Sequence, residues 1–167
     1  DAFPEDEISE AGYEVVYLGQ KAYAGVAVVS REPLTDVVYD LGDGEENPEP
    51  RVIRGRYGDI QVINTYVPQG REVGSEHFEF KLAWLARMRA MLEREYRADE
   101  EVLWMGDLNV APEPIDVHDP KALANHVDFH PRAREAYANV VSWGLTDLLR
   151  KHRPEAGQYS YWDYRVP

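Results

Sequence analysis

The chain has 167 residues, a hydrophobic fraction of 44%, no cysteine and a formal net charge of -13. That suits one ordinary domain or part of a larger one; it excludes disulfides and thiolate metal sites, and no apolar run approaches the ~20 residues of a membrane span. Of the thirty-one acidic residues, thirteen fall in the first fifty, against two of the eighteen basic ones, so the rest is nearly balanced and leaves room for a local basic surface.

In chain order, the acidic runs Glu5-Asp6-Glu7 and Asp43-Gly44-Glu45-Glu46 read as solvated loops. Glu14 to Leu18 reads as a short strand, and Gly19 to Ala22 as a turn. Tyr23 to Ser30, with Gly25 to Val29 at its centre, predicts a well-buried strand. The glycines, prolines and acids of residues 41–50 predict an exposed loop. Val52 to Arg56 and Ile60 to Val67 predict two strands joined through Tyr57-Gly58-Asp59, a hairpin signal. Ser75 can cap a helix, and Phe78, Leu82, Leu85, Met88 and Leu92 recur at spacings of three and four, flanked by Trp84 and Met91. That helix is expected to reach about Tyr96. Val102 to Met105 predicts a buried strand, followed by a long loop containing Pro112, Pro114 and Pro120. Pro131 begins another helix, running to Trp143 and stopped by Gly144. Leu145 to Leu149 reads as a helical turn, and Tyr159 to Trp162 as strand-like. Hairpin-linked strands separated by single helices point to a layered α+β domain rather than a doubly wound sheet.

Chemistry concentrates after the Val102–Met105 run. Gly106 is followed by Asp107 and Asn109, which alternate with Leu108 and would share one side of an extended segment. A carboxylate beside a carboxamide suits a hard metal ion, or a water that must be deprotonated and held. An Asx-rich turn after a strand is the alternative. Tyr66 ends the Ile60–Val67 strand; if that strand neighbours the next, Tyr66 could face Asp107 and offer a hydrogen bond to a phosphate or leaving oxygen. The five histidines, His77, His118, His126, His130 and His152, lack metal-ligand spacing. No nucleophile elbow and no thiol is present, which argues against covalent acyl chemistry. Glu113 and Asp116 read as structural loop acids. Tyr159, Tyr161, Trp162 and Tyr164, beside Arg165, could stack on a sugar or base, or simply pack as a strand.

GDLNVAP (Gly106–Pro112) with the upstream NTYVPQG (Asn64–Gly70) closely resembles the exonuclease III family of abasic-site endonucleases, in the endonuclease/exonuclease/phosphatase superfamily. GQKAYAGVAVVS (Gly19–Ser30), EPRVI (Glu49–Ile53), SWGLTDLLR (Ser142–Arg150) and YSYWDYR (Tyr159–Arg165) fit in the same order, so the resemblance spans essentially the whole chain. It implies an α/β fold, a four-layered sandwich of two packed β-sheets flanked by helices. It also implies a nuclease that hydrolyses phosphodiester bonds 5′ to abasic sites and trims DNA 3′ ends, with magnesium (or manganese) as cofactor. By this resemblance Tyr66, Asp107 and Asn109 are catalytic: Asp107 matches the residue that activates water, and Asn109 the one that holds that water, a phosphate oxygen or a second metal. Asp107 and Asn109 are the implied metal ligands. Tyr23, Arg51, Gln69, Tyr161 and Trp162 are the implied contacts to double-stranded DNA, the last two as walls of an abasic-sugar pocket.

The family pattern also begins before Asp1 and continues after Pro167, where further metal and phosphate ligands are expected. Residues 1–167 are therefore expected to be the central part of a single domain, inactive alone. A monomeric, cytoplasmic protein with no membrane partner is expected. Two other functions compete: a superfamily phosphatase or phosphodiesterase acting on a small or lipid phosphate ester, and a non-catalytic binding module.

Overall fold

The computed structural model describes residues 3–21, 24–45 and 48–161. The chain divides into two compact units, Asp1–Tyr66 with Glu95–Leu108, and Val67–Arg94 with Asn109–Pro167.

The first unit opens with a short helix, α1 (Glu5–Glu10), where the sequence predicted a loop. Glu5, Asp6 and Glu7 occupy its first turn, where negative charge meets the positive end of the helix dipole. Strands β1 (Glu14–Gly19) and β2 (Gly25–Ser30) form an antiparallel two-stranded sheet in continuous register. β2 is half-buried rather than well buried, because only one face of so small a sheet is covered; Val29 on the other face is 48% exposed.

Four further strands, β3 (Thr35–Val38), β4 (Val52–Tyr57), β5 (Ile60–Tyr66) and β6 (Val102–Asp107), form a second sheet in that order. β3 carried no clear signal in the sequence. The β4–β5 hairpin is as expected, pairing Tyr57 with Ile60 across Gly58-Asp59. Gly58 has φ +60°, a turn conformation that glycine takes without steric cost. β6 joins β5 in parallel. The two sheets pack face to face around Leu34, Ile53 and Val62, with Val16, Leu18, Val26, Val28 and Val37 against them. Asn64 Nδ2 donates to the Ala27 carbonyl at 2.8 Å and pins β5 to β2.

β6 corrects an expectation. The apolar run is not wholly buried: Leu103 and Met105 are 37% and 43% exposed, while Val102 and Trp104 are partly covered. Successive side chains of a strand point to opposite faces of the sheet, so Leu103 and Met105 share the less covered face even though all four residues are apolar.

The second unit holds α2 (Glu76–Glu95), α3 (Pro131–Val141) and α4 (Leu148–His152). Ser75 Oγ accepts the Phe78 amide at 3.2 Å, a cap of the kind that contributes ~1 kcal/mol. Phe78, Leu85, Met88 and Leu92 are fully buried, each contributing ~1.5–3 kcal/mol. Pro131 stands at the start of α3, and His130 caps it by accepting the Arg132 amide. Tyr159 to Tyr161 are not a strand; they follow a loop and are held by backbone bonds from Ser160 and Tyr161 to the Asp116 carbonyl. Trp162 and Tyr23 lie outside the described residues.

Asp116, read as structural, is 1% exposed. Its carboxylate pairs with Arg150 and accepts the Ser160 hydroxyl at 2.7 Å and the Glu113 amide at 2.8 Å. Nearby Tyr137 is pushed from its ordinary value of 10.0 up to about 12, by burial first and then by the negative charges of Asp147 and Asp116. Its proton is thus held more tightly folded than unfolded. This contribution is intact below pH 10.0 and is lost as pH rises toward about 12. The expected loss is ~2–3 kcal/mol. Thermal melts from pH 9 upward should show it as a steeper alkaline fall in the wild type than in Tyr137→Phe; parallel falls would contradict it.

Candidate active site

Parallel pairing of β5 and β6 sets Tyr66 directly beside Asp107, the two strands' last residues. Register partners on neighbouring strands project to the same face. The carboxyl ends of adjacent parallel strands are where polar chemistry meets solvent in α/β proteins. Asp107 is exposed and Tyr66 half-buried.

Gly106 makes this approach possible. Its φ is +116°, and a Cβ there would lie 2.1 Å from the Thr65 carbonyl oxygen and 2.9 Å from the Thr65 nitrogen. Beside it, the Trp104 indole donates to Thr65 Oγ1 at 2.9 Å, a side-chain tie between the two strands.

Tyr66 is braced from β4's approach. Its amide donates to the Arg51 carbonyl at 2.8 Å. Its own carbonyl accepts from Arg51 Nη1 at 3.2 Å, and that guanidinium stands 4.9 Å from the ring centroid. Arg51 Nε also pairs with Glu49 at 2.6 Å. Arg51, assigned by resemblance to a phosphate, thus lies against Tyr66 and Glu49.

Asn109 belongs to the second unit and does not continue the extended strand. Its φ is +46°, so the alternation that would put Asp107 and Asn109 on one side of a strand ends there. Asparagine tolerates this left-handed conformation better than most residues. Its Nδ2 donates to the Val67 carbonyl at 2.9 Å. Its backbone oxygen accepts from Lys81 Nζ at 2.5 Å.

Lys81 lies wholly inside the unit. Nζ also lies within hydrogen-bond distance of the carbonyls of Gln69 at 3.2 Å and Val127 at 3.3 Å and of Asp128 Oδ1 at 2.7 Å, so four acceptors share its three protons. Asp128 Oδ2 accepts the Tyr161 hydroxyl at 3.0 Å and Gln69 Nε2 at 3.5 Å. The Tyr161 ring packs on the cluster of Ala111, Val117 and Phe129. The structure therefore joins Asn109, Gln69 and Tyr161 through one buried network.

Asp107 and Asn109 present a carboxylate and a carboxamide, hard oxygen donors of the type magnesium takes. Among the described residues no three histidine, aspartate or glutamate side chains converge on a metal position. Each side chain fits such an ion by its own chemistry.

The model of the endonuclease/exonuclease/phosphatase family matches residues 2–166. The chain belongs to this family. Family relatives include an exodeoxyribonuclease from Bacillus subtilis, 34% identical over 152 residues that cover 90% of this chain and 59% of that protein. Among solved structures, an AP endonuclease from Archaeoglobus fulgidus superposes with a TM-score of 0.92 at 46% identity, covering 98% of this chain and 63% of that one. A 3′ phosphatase from Neisseria bound to a product DNA hairpin gives 0.90 at 32% identity, covering 98% and 64%. The chain spans roughly three fifths of the length of these relatives. Mixed α/β content in two packed sheets with helices agrees with the AP endonuclease fold.

Lys81 and Asp128 were missed in the sequence of this family member. A signal for Lys81 existed: it falls three residues after Phe78 and four before Leu85, on the apolar face of α2. Asp128, between buried Val127 and Phe129, is its counter-charge. Two of the histidines act as structural acceptors: His126 Nδ1 accepts the Asp128 amide at 3.3 Å, and His130 caps α3.

Proposed function

We propose that this chain forms part of the active site of a DNA repair nuclease that hydrolyses the phosphodiester bond 5′ to an abasic site and trims 3′ ends. The observation that carries the proposal is the register pair Tyr66–Asp107 at the ends of adjacent parallel strands, with its strands held close by Gly106. The relatives named as exodeoxyribonuclease, AP endonuclease and 3′ phosphatase support it, the last being bound to DNA.

Phosphodiester hydrolysis requires a deprotonated in-line water, neutralised phosphate charge and a stabilised leaving oxygen. Asp107 accepts the water's proton. Tyr66, held by Arg51, donates its phenolic hydrogen bond to a phosphate oxygen. Asn109 orients the water or a phosphate oxygen through its carboxamide. Asp107 and Asn109 would also lend oxygens to a magnesium or manganese ion, which when bound neutralises charge on the phosphate. Gln69, Tyr161, Tyr23 and Trp162 are the proposed contacts to double-stranded DNA, with Arg51 either contacting phosphate itself or acting through Tyr66.

The family name also covers phosphatases, so substrate class is the decisive test. The complete gene product, supplied with magnesium, is expected to nick an abasic duplex and to process a recessed 3′ end, and to leave inositol phosphates unchanged. Turnover of inositol phosphates with none of the abasic duplex would replace the nuclease with a small-ester phosphatase.

A further inference from the structure

The Lys81–Asp128 pair is buried more deeply than a salt bridge needs for stability. The two side chains are 0% and 3% exposed, and charges are removed from water at a cost that apolar residues would avoid. The surrounding stripe of Phe78, Leu85 and Met88 is apolar, so a methionine or leucine at position 81 would satisfy the helix alone.

What the pair does is tie together three stretches of irregular backbone. Gln69, Asn109 and Val127 all lie outside helices and strands. Each has its carbonyl on Lys81 Nζ. An ammonium has three protons and no acceptor, so it can bind several carbonyls at once but needs a counter-charge when buried. Asp128 supplies that charge with one oxygen and holds Tyr161 and Gln69 with the other. It also fixes Ala111, whose amide donates to the Asp128 carbonyl at 2.7 Å. A left-handed Asn109 persists only where its surroundings over-determine it.

We infer that Asp128 is a positioning residue: through Lys81 it sets the backbone of Asn109 and Gln69, and directly it orients the Tyr161 phenol. The roles of those three residues rest on the nuclease reading; the positioning itself does not. Asp128 couples the part that orients water to the parts that grip DNA.

The test compares Asp128→Asn with Val140→Ala in the complete gene product, well below the melting temperature of both. Val140 is fully buried in α3 and outside this network, so it serves as a control for lost stability. Single-turnover nicking of an abasic duplex at saturating enzyme is expected to fall ~10- to 100-fold in Asp128→Asn, because small misplacements of reacting groups cost rate steeply. Val140→Ala should stay within about two-fold of the wild type, as lost packing alone leaves the folded site's geometry in place. Equal rates in the two variants would overturn the inference. Should Asp128→Asn not fold, Lys81→Arg keeps the charge, moves the donors and carries the same expectation.

If the wild type nicks no abasic DNA, the nuclease reading falls and the positioning claim is judged by amide exchange. Ala111 should then exchange at least ~10-fold faster in Asp128→Asn than in Val140→Ala, through local opening of its segment. Equal exchange would overturn it.

Discussion

Gly106→Ala is expected to lower stability by ~4 kcal/mol, the middle of the ~2–6 kcal/mol that a strained positive φ at ~1–3 kcal/mol and overpacking at ~1–3 kcal/mol together give. The added methyl meets the Thr65 oxygen at 2.1 Å, the Thr65 nitrogen at 2.9 Å and Asn64 Oδ1 at 2.6 Å. Two of those atoms are backbone of β5, so relief requires separating β5 from β6 rather than turning a side chain. A loss of this size is a large share of the ~5–15 kcal/mol that holds a domain folded. Gly58→Ala is the matched control. Gly58 also has positive φ, but nothing lies within 4 Å of its added Cβ. It should cost only ~1–2 kcal/mol. Urea unfolding of the two variants separates conformational strain from collision; equal losses would show that the close approach of the strands is not what Gly106 provides.

Asp107→Asn is expected to abolish most catalysis while leaving the fold intact. The amide keeps the size and polarity of the carboxylate but cannot take a proton from water. General-base losses run ~10²- to 10⁴-fold, and a fall of ~10³-fold in single-turnover nicking is expected. Asp107 is exposed at the end of its strand. Its substitution should therefore move stability by less than about 1 kcal/mol. A near-wild-type rate in Asp107→Asn would remove Asp107 from the chemistry and leave the Asx-turn explanation of the motif.

The legible parts of this molecule were those governed by local chemistry. Ser75 followed by a stripe at helical spacing marked α2 and its start, because the cap and the periodicity are both short-range. Tyr57-Gly58-Asp59 marked the hairpin for the same reason. The neighbouring strand ends of Tyr66 and Asp107 were framed as a condition in the sequence, and pairing is a long-range fact that only the structure supplies. The exposure of Leu103 and Met105 was hidden because apolar content marks a strand without saying how many faces are covered. Asn109 looked like part of an extended alternation; its left-handed backbone is set by Lys81 and Val67, both distant in sequence. Lys81 itself was masked by its charge, although its spacing placed it in the core face of α2. The first acids passed for a loop because a two-turn helix leaves little periodicity to detect.

Cleavage of an abasic duplex by the complete gene product in ¹⁸O-labelled water tests the central claim most directly. If water activated at Asp107 attacks phosphorus and the bond to the 3′ oxygen breaks, the upstream product carries an unlabelled 3′-hydroxyl. The downstream product then carries one ¹⁸O in its 5′-phosphate. Mass spectrometry of both ends should show this pair, and Asp107→Asn should produce neither at a comparable rate. An upstream end bearing an unsaturated sugar, with no label in either phosphate, would mean cleavage by elimination and would contradict the account.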